Sequence, residues 1–336
     1  LSPANAVLPS ATRPWNDANG NFMPDCVLTD FSANGECGVF NVAGFGSPRV
    51  ALSWDEGARK GWGIREYNYQ WSVGLQHELR QGLGVSAGYY HTSFGNMQMQ
   101  MNTALTASSY DTYCMNAPTD ARLGESSGQQ VCGIPDLTFA AKTIPQNIVQ
   151  YRVADAPIPG LAGKPSDVFN GADFAMNWRF KGSGLVSGGV TLGKSVRDFC
   201  FANNFPQIIN IATTAVGSGQ IALGPRDANY CTDAAQPLWN GVGSQVKFQF
   251  VYPLPGAIML AATYKHLPGI PVTGTVTYGN AAVAPVLGRN LAACTAPTGA
   301  CTQSATVNVV RPGTLYDDRL NQIDLRGTRR FRVGKA

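Results

Sequence analysis

The stretch Tyr67-Asn68-Tyr69-Gln70-Trp71-Ser72-Val73-Gly74-Leu75-Gln76-His77-Glu78-Leu79 decides how the chain is read. Tyr67, Tyr69, Trp71, Val73, Leu75 and Leu79 fall at alternate places, with Asn68, Gln70, Ser72, Gln76 and Glu78 between them. Side chains of a pleated strand point alternately to opposite faces, so this period of two predicts one long strand with an apolar and a polar face. After the turn Arg80-Gln81-Gly82 the alternation resumes, with Leu83, Val85, Ala87 and Tyr89 against Gly84, Ser86, Gly88 and Tyr90. That is the return arm of a hairpin.

The same design recurs twice. Val168, Ala172, Phe174, Met176, Trp178 and Phe180 oppose Asp167, Asp173, Asn177 and Arg179; after Lys181-Gly182-Ser183, Val186, Val190 and Leu192 oppose Ser187, Thr191 and Ser195. Val246, Phe248, Phe250 and Tyr252 then oppose Gln245, Lys247 and Gln249, and Pro253-Leu254-Pro255-Gly256 leads into Ile258, Leu260, Ala262 and Tyr264. Hairpins are thus expected at about 67–95, 168–196 and 244–266, with a last strand at about 321–333, and their apolar residues on one side of a single sheet. Strands of about 13 residues exceed both the usual length in soluble sheets and the 9 to 11 residues that cross a bilayer.

Between these hairpins lie Gly-, Pro-, Asn- and Thr-rich stretches, about 96–165, 197–242 and 266–321, which read as long loops. Short turns alternating with long loops are the rhythm of an outer-membrane barrel. A secreted β-sandwich would alternate too, but aromatic residues near strand ends, Tyr67, Trp71, Phe180, Tyr252 and Tyr264, match the girdles of a membrane barrel. The expectation is all-β: an antiparallel β-barrel segment of outer-membrane type over 67–336, with disulfide-closed loops at one end and short turns at the other. A leading loop segment, 1–66, precedes it.

Composition agrees. Charged residues are 14% of the chain, against roughly 25% in an average soluble domain. The net charge of +4 has no basic footprint beyond a cluster near the end, so nucleic acid is set aside as a partner. No apolar run of about 18 residues exists, which excludes a helical span and leaves a barrel open. Leu1-Ser2-Pro3-Ala4 lacks the features of a secretion signal, so such a signal is expected to be removed or upstream.

Eight cysteines fall in neighbouring pairs, Cys26 with Cys37, Cys114 with Cys132, Cys200 with Cys231 and Cys294 with Cys301. Nearest neighbours close the shortest loops, which predicts four local disulfides and an oxidising compartment. Reduced thiols or a metal site are the alternative, disfavoured by the absence of a Cys-x-x-Cys and by only three separated His.

The segment Asp17 to Asp25 gathers oxygen-bearing side chains at Asp17, Asn19, Asn21 and Asp25 around Gly20, in the manner of a Ca²⁺ loop. Leu28 stands where a bidentate Glu would be, with Asp30 nearby, and an Asx-rich turn that satisfies its own backbone is the competing reading. His77, His91 and His266 lie on separate strands with no adjacent nucleophile, so no enzyme activity is expected. Arg319, Arg326, Arg329, Arg330 and Arg332 are expected mostly on a polar face, paired with Asp317, Asp318 and Asp324 or lining an anion-binding lumen.

Four stretches resemble the large TonB-dependent-receptor-like proteins that carry an N-terminal carboxypeptidase-regulatory-like domain. They are Arg13-Pro14-Trp15-Asn16-Asp17-Ala18-Asn19-Gly20-Asn21, Gly61-Trp62-Gly63-Ile64-Arg65-Glu66-Tyr67-Asn68-Tyr69, Asp111-Thr112-Tyr113-Cys114, and Gly313 through Arg326. The resemblance implies an outer-membrane barrel for energised uptake of a bulky solute. No plug, coupling box or regulatory-like domain is readable, and the final residues, Arg330 to Ala336, lack the terminal aromatic of such barrels. A segment of the barrel is therefore expected, its partners outer-membrane lipid or further strands of the same barrel. A secreted or surface-exposed structural protein that self-assembles through strand edges is the alternative.

Overall fold

A computed structural model describes residues 5–7, 11–30, 32–40, 48–50, 52–180, 183–211, 224–233, 244–331 and 334. Seven long strands form one antiparallel sheet: β1 (Tyr67–Arg80), β2 (Leu83–Gly95), β3 (Ser166–Phe180), β4 (Gly184–Asp198), β5 (Gln245–Leu254), β6 (Ile258–Leu267) and β7 (Leu320–Arg329). Each pairs with its neighbours in chain order, a pure up-and-down meander. The expected hairpins are present, with slightly different ends. Of the expected last strand, residues 332 and 333 lie outside the described residues, as does Arg332 of the basic cluster; so do Lys181 and Gly182 of the second turn. Among the described residues the sheet does not close, and β1 and β7 are its two edges.

Register places the expected apolar residues on one side, apart from Leu79, which falls within the register shift between Glu78 and Arg80. Trp71 pairs with His91, Leu75 with Ala87, Phe174 with both Ala87 and Val190, Val186 with Phe250, and Ala262 with Leu325. Since directly paired residues share a face, one apolar surface runs unbroken across all seven strands. At three places on it a glycine sits opposite an aromatic residue, Gly95 with Tyr67, Gly184 with Phe180 and Gly188 with Phe248. In each case a Cβ on the glycine would overlap the partner ring, so the aromatic side chain covers the strand where the glycine leaves it bare.

The meander puts its short turns at one end of the sheet and its long connections at the other. Gly82 (φ 83°) and Gly256 (φ 82°) supply the left-handed conformations of two of the turns. The long connections differ from their expected loop character, because they fold into a cap. Gln98–Asn102 and Ile148–Arg152 pair in a four-stranded sheet flanked by Ile208–Ile211 and by Ser53–Trp54, the last of these parallel. Tyr110–Asn116 pairs with Gln130–Leu137, and Thr275–Gly279 with Ser304–Asn308, beside a helix at Asn280–Leu287. The leading segment likewise carries Asn5–Val7 paired with Pro48–Val50, and a short helix at Glu56–Arg59.

The hydrophobic core lies in this cap. One cluster joins Tyr113, Met115, Val131, Ile134, Val283, Leu291, Val307 and Val309, and a second joins Met99, Val153, Ala202 and Ile208. Among the described residues, no buried apolar side chain belongs to the seven long strands. Polar short-strand segments could bury these residues only by non-local packing, which is why period-two reading passed over them.

Candidate functional site

The uncovered apolar face is the largest chemical feature of the molecule. Leu75, Leu325, Trp71 and Phe174 are 71%, 74%, 53% and 53% exposed. Monomeric soluble proteins rarely leave contiguous apolar patches larger than a few hundred Å².

Charge is distributed with equal sharpness. The opposite face carries Glu78, Asp173, Arg179, Lys247, Lys265, Asp324 and Arg326 at alternate register positions. On the apolar face of β1 to β4 the span between the two rims holds no Asp, Glu, Lys or Arg, and its one histidine outside the rims is His77. Cations stand only at its ends. At the turn end a register shift between Glu78 and Arg80 brings Arg80 opposite Leu83, and its guanidinium lies over the Trp178 ring, 5.0 Å from the centroid. Arg329 there lies over Phe331. At the loop end stands Lys194, paired with Asn170.

Aromatic rings mark the same two levels. Trp178, Phe180, Phe250 and Tyr252 cluster at the turn end, with centroid separations of 4.9 to 6.0 Å. At the loop end Trp71 meets Tyr89 at 5.3 Å and His91 at 5.2 Å, and Tyr67 meets Tyr69 at 4.8 Å. From Val186, opposite Trp178, to Lys194 is eight residue steps. At about 3.3 Å per step the band between is roughly 26 Å along the strand, or about 20 Å of height at a tilt of about 40°.

No family model, curated protein or solved structure matches the chain. The chemistry of this face therefore rests on the residues themselves.

The cap is bound by disulfides and by a half-buried cation. All four sequence-neighbouring pairs are formed: Cys26–Cys37, Cys114–Cys132, Cys200–Cys231 and Cys294–Cys301. Arg289, which sequence patterning gave no reason to single out, joins two elements of the cap. It donates to Asp136 at 2.6 Å, to Asp111 at 2.8 Å and to the Leu137 carbonyl at 2.9 Å. Burial opposes its charge, but the hydrogen bonds to Asp136 and Asp111 outweigh that and hold its pKa above the usual value. Arg226 is buried beneath the same cap, donates to the Ile208 carbonyl at 2.6 Å, and is pushed down to about 10 by burial.

The segment Asp17 to Asp25 forms an exposed knob closed by Cys26–Cys37. Asp17 accepts from the backbone N–H groups of Gly20, Asn21 and Phe22, and Asn19 and Asn21 each accept from the N–H two residues on. Asp25 accepts from the side-chain amides of Asn19 and Asn21. Glu36, absent from the sequence expectation, completes the ring by accepting from Trp15 Nε1–H and the N–H groups of Ala18, Asn19 and Asp25. The Trp15 bond leads in holding its carboxyl below the usual range. Among the described residues no group of three or more His, Cys, Asp or Glu side chains is placed to hold a metal ion. The Asx network already occupies these oxygens, so it predicts a melting temperature unchanged by chelator. A cation-held loop predicts a fall on chelation that Ca²⁺ restores, by about 2.7 kcal/mol at a hundredfold excess over Kd.

The basic cluster is only partly as expected. Arg326 lies on the polar face and Arg329 on the apolar rim, while Arg319 donates to His266 Nε2 at 2.6 Å. Asp324 accepts from Gln322 and Thr263. Among the described residues it forms no ion pair with these arginines, because Arg326 is paired across the strand with Ala261 rather than with an acid.

Proposed function

We propose that the seven-stranded sheet is the lipid-facing wall of an outer-membrane barrel, part of a receptor or transporter for a bulky solute, and that the cap is its outward binding surface. The observation that carries this is the single face, about 20 Å high, whose charges are confined to two aromatic-rich rims. In water such a face costs free energy in proportion to its area; in hydrocarbon it costs nothing, while the polar face turns to the lumen. All fourteen residues of edge strand β1 are exposed, so further strands of the barrel are its natural partner, since an unpaired edge is not tolerated within lipid. Surface loops held on a rigid scaffold are where binding usually resides, and here three of the four disulfides order them.

Phase partitioning tests this. The purified chain is expected in the detergent phase and to precipitate when detergent is removed. The exposed edges suit a second reading, a surface protein assembling strand to strand; a chain that stays in the aqueous phase and forms ordered oligomers would favour it.

A further inference from the structure

Two neighbouring cross-strand rows run side by side on the polar face of the sheet. In the row nearer the loop end Gly88 pairs with Asp173, Asp173 with Thr191 and Thr191 with Gln245. In the next row toward the turn end Ala175 pairs with Gly189, Gly189 with Lys247, Lys247 with Lys265 and Lys265 with Gln322. Asp173, Thr191, Gln245 and Lys247 border a cavity of about 250 Å³ whose floor is Ala175 and Gly189. Glycine is required in that floor, because a Cβ at 189 would stand 2.4 Å from the Phe174 carbonyl oxygen.

Asp173 and Lys247 lie two strands and one row apart, which puts their Cα atoms about 12 Å from each other. Among the described residues neither takes part in an ion pair. Lys265, directly opposite Lys247, has no acidic partner either. Like charges directly opposite in a sheet repel. Asp324, the acid one row from Lys265, instead accepts from Gln322 and Thr263. The cavity thus has a carboxylate on one wall and an ammonium on the other, with a second ammonium behind it.

We propose that this cavity binds a small zwitterion of the amino-acid class, its ammonium on the Asp173 carboxylate and its carboxylate on the Lys247 ammonium. Thr191 and Gln245 supply a hydroxyl and an amide along the wall between them. An anion beside Lys247 relieves its repulsion with Lys265, and a cation beside Asp173 gives that acid a partner. A ligand of single charge meets only one of these needs. This rests on the reading of the polar face as a lumen and adds the charge pattern of the solute taken there.

The test is isotope-edited NMR of the full chain in detergent, titrated with L-alanine, with N-acetyl-L-alanine, which lacks the ammonium, and with L-alaninamide, which lacks the carboxylate. The parent binds alanine about tenfold more tightly than either blocked form, the worth of one charge-assisted hydrogen bond. Asp173→Asn abolishes the preference over N-acetylalanine and keeps that over alaninamide; Lys247→Gln does the reverse. Each variant keeps the preference set by the other group and so reports its own folding. Lys247→Arg behaves like the parent, as does Arg179→Gln, which removes a cation from the same face at the turn end. A parent that binds all three compounds alike or none of them, or a preference lost equally in Arg179→Gln and Lys247→Gln, overturns the site. Partitioning of the same samples reads the lipid-facing sheet separately; a chain found in the aqueous phase overturns that sheet and the lumen with it.

Discussion

Val190→Arg is expected to destabilise the protein folded in lipid by about 2–4 kcal/mol, the cost of an arginine at the middle of a barrel's apolar band. Val190 lies midway between Val186, opposite Trp178 at the turn-end rim, and Lys194 at the loop-end rim. The same substitution at Val196, two places beyond Lys194 on the same face, should cost about 0–1 kcal/mol, because an arginine there reaches the interface. Thr191→Arg, next to Val190 but on the polar face, should also be mild. Urea titration of the folded protein in bilayers reads all three. The contrast in depth matters more than any single value, since a buried soluble core would penalise the two valines alike.

Cleavage of Cys200–Cys231 is expected to cost the cap about 3–4 kcal/mol, the most among the four disulfides on loop-closure entropy. Its sequence separation is 31, against 18, 11 and 7 for the others. Cys200 lies two residues beyond the end of β4, and the Phe199 N–H between them donates to the Cys231 carbonyl at 2.9 Å, so the bridge anchors the cap to the sheet at this point. A Cys200→Ala, Cys231→Ala variant should therefore lose protease resistance in the cap with the sheet intact. Equal resistance in the variant and the parent would show that packing alone holds the cap.

The sheet was legible in the sequence because its strands are long and two-faced. Over a run such as Tyr67 to Leu79, the pleat repeats its apolar and polar choice often enough that no helical period fits. Disulfide pairing was legible for a related reason, since each partner is the nearest in sequence and loop closure favours it. What patterning missed depends on distant parts of the chain. Gln98–Asn102 and Ile148–Arg152 are short, and Met99 becomes buried only when the cap assembles around it. Arg289 gains its meaning from Asp111 and Asp136, more than 150 residues away. Glu36 closes the Asp17 knob only because Cys26–Cys37 folds the chain back. The placement of Arg80 on the apolar rim follows from a bulge that no residue preference announces.

The most direct test of a lipid-facing sheet is quenching by brominated acyl chains, comparing Val190→Trp with Thr191→Trp in bilayers and subtracting the parent signal. These neighbours differ by one step in the pleat and so occupy opposite faces. A lipid-facing band predicts strong quenching of the indole at 190 and little at 191. Equal quenching at both positions, or none at 190, would contradict it.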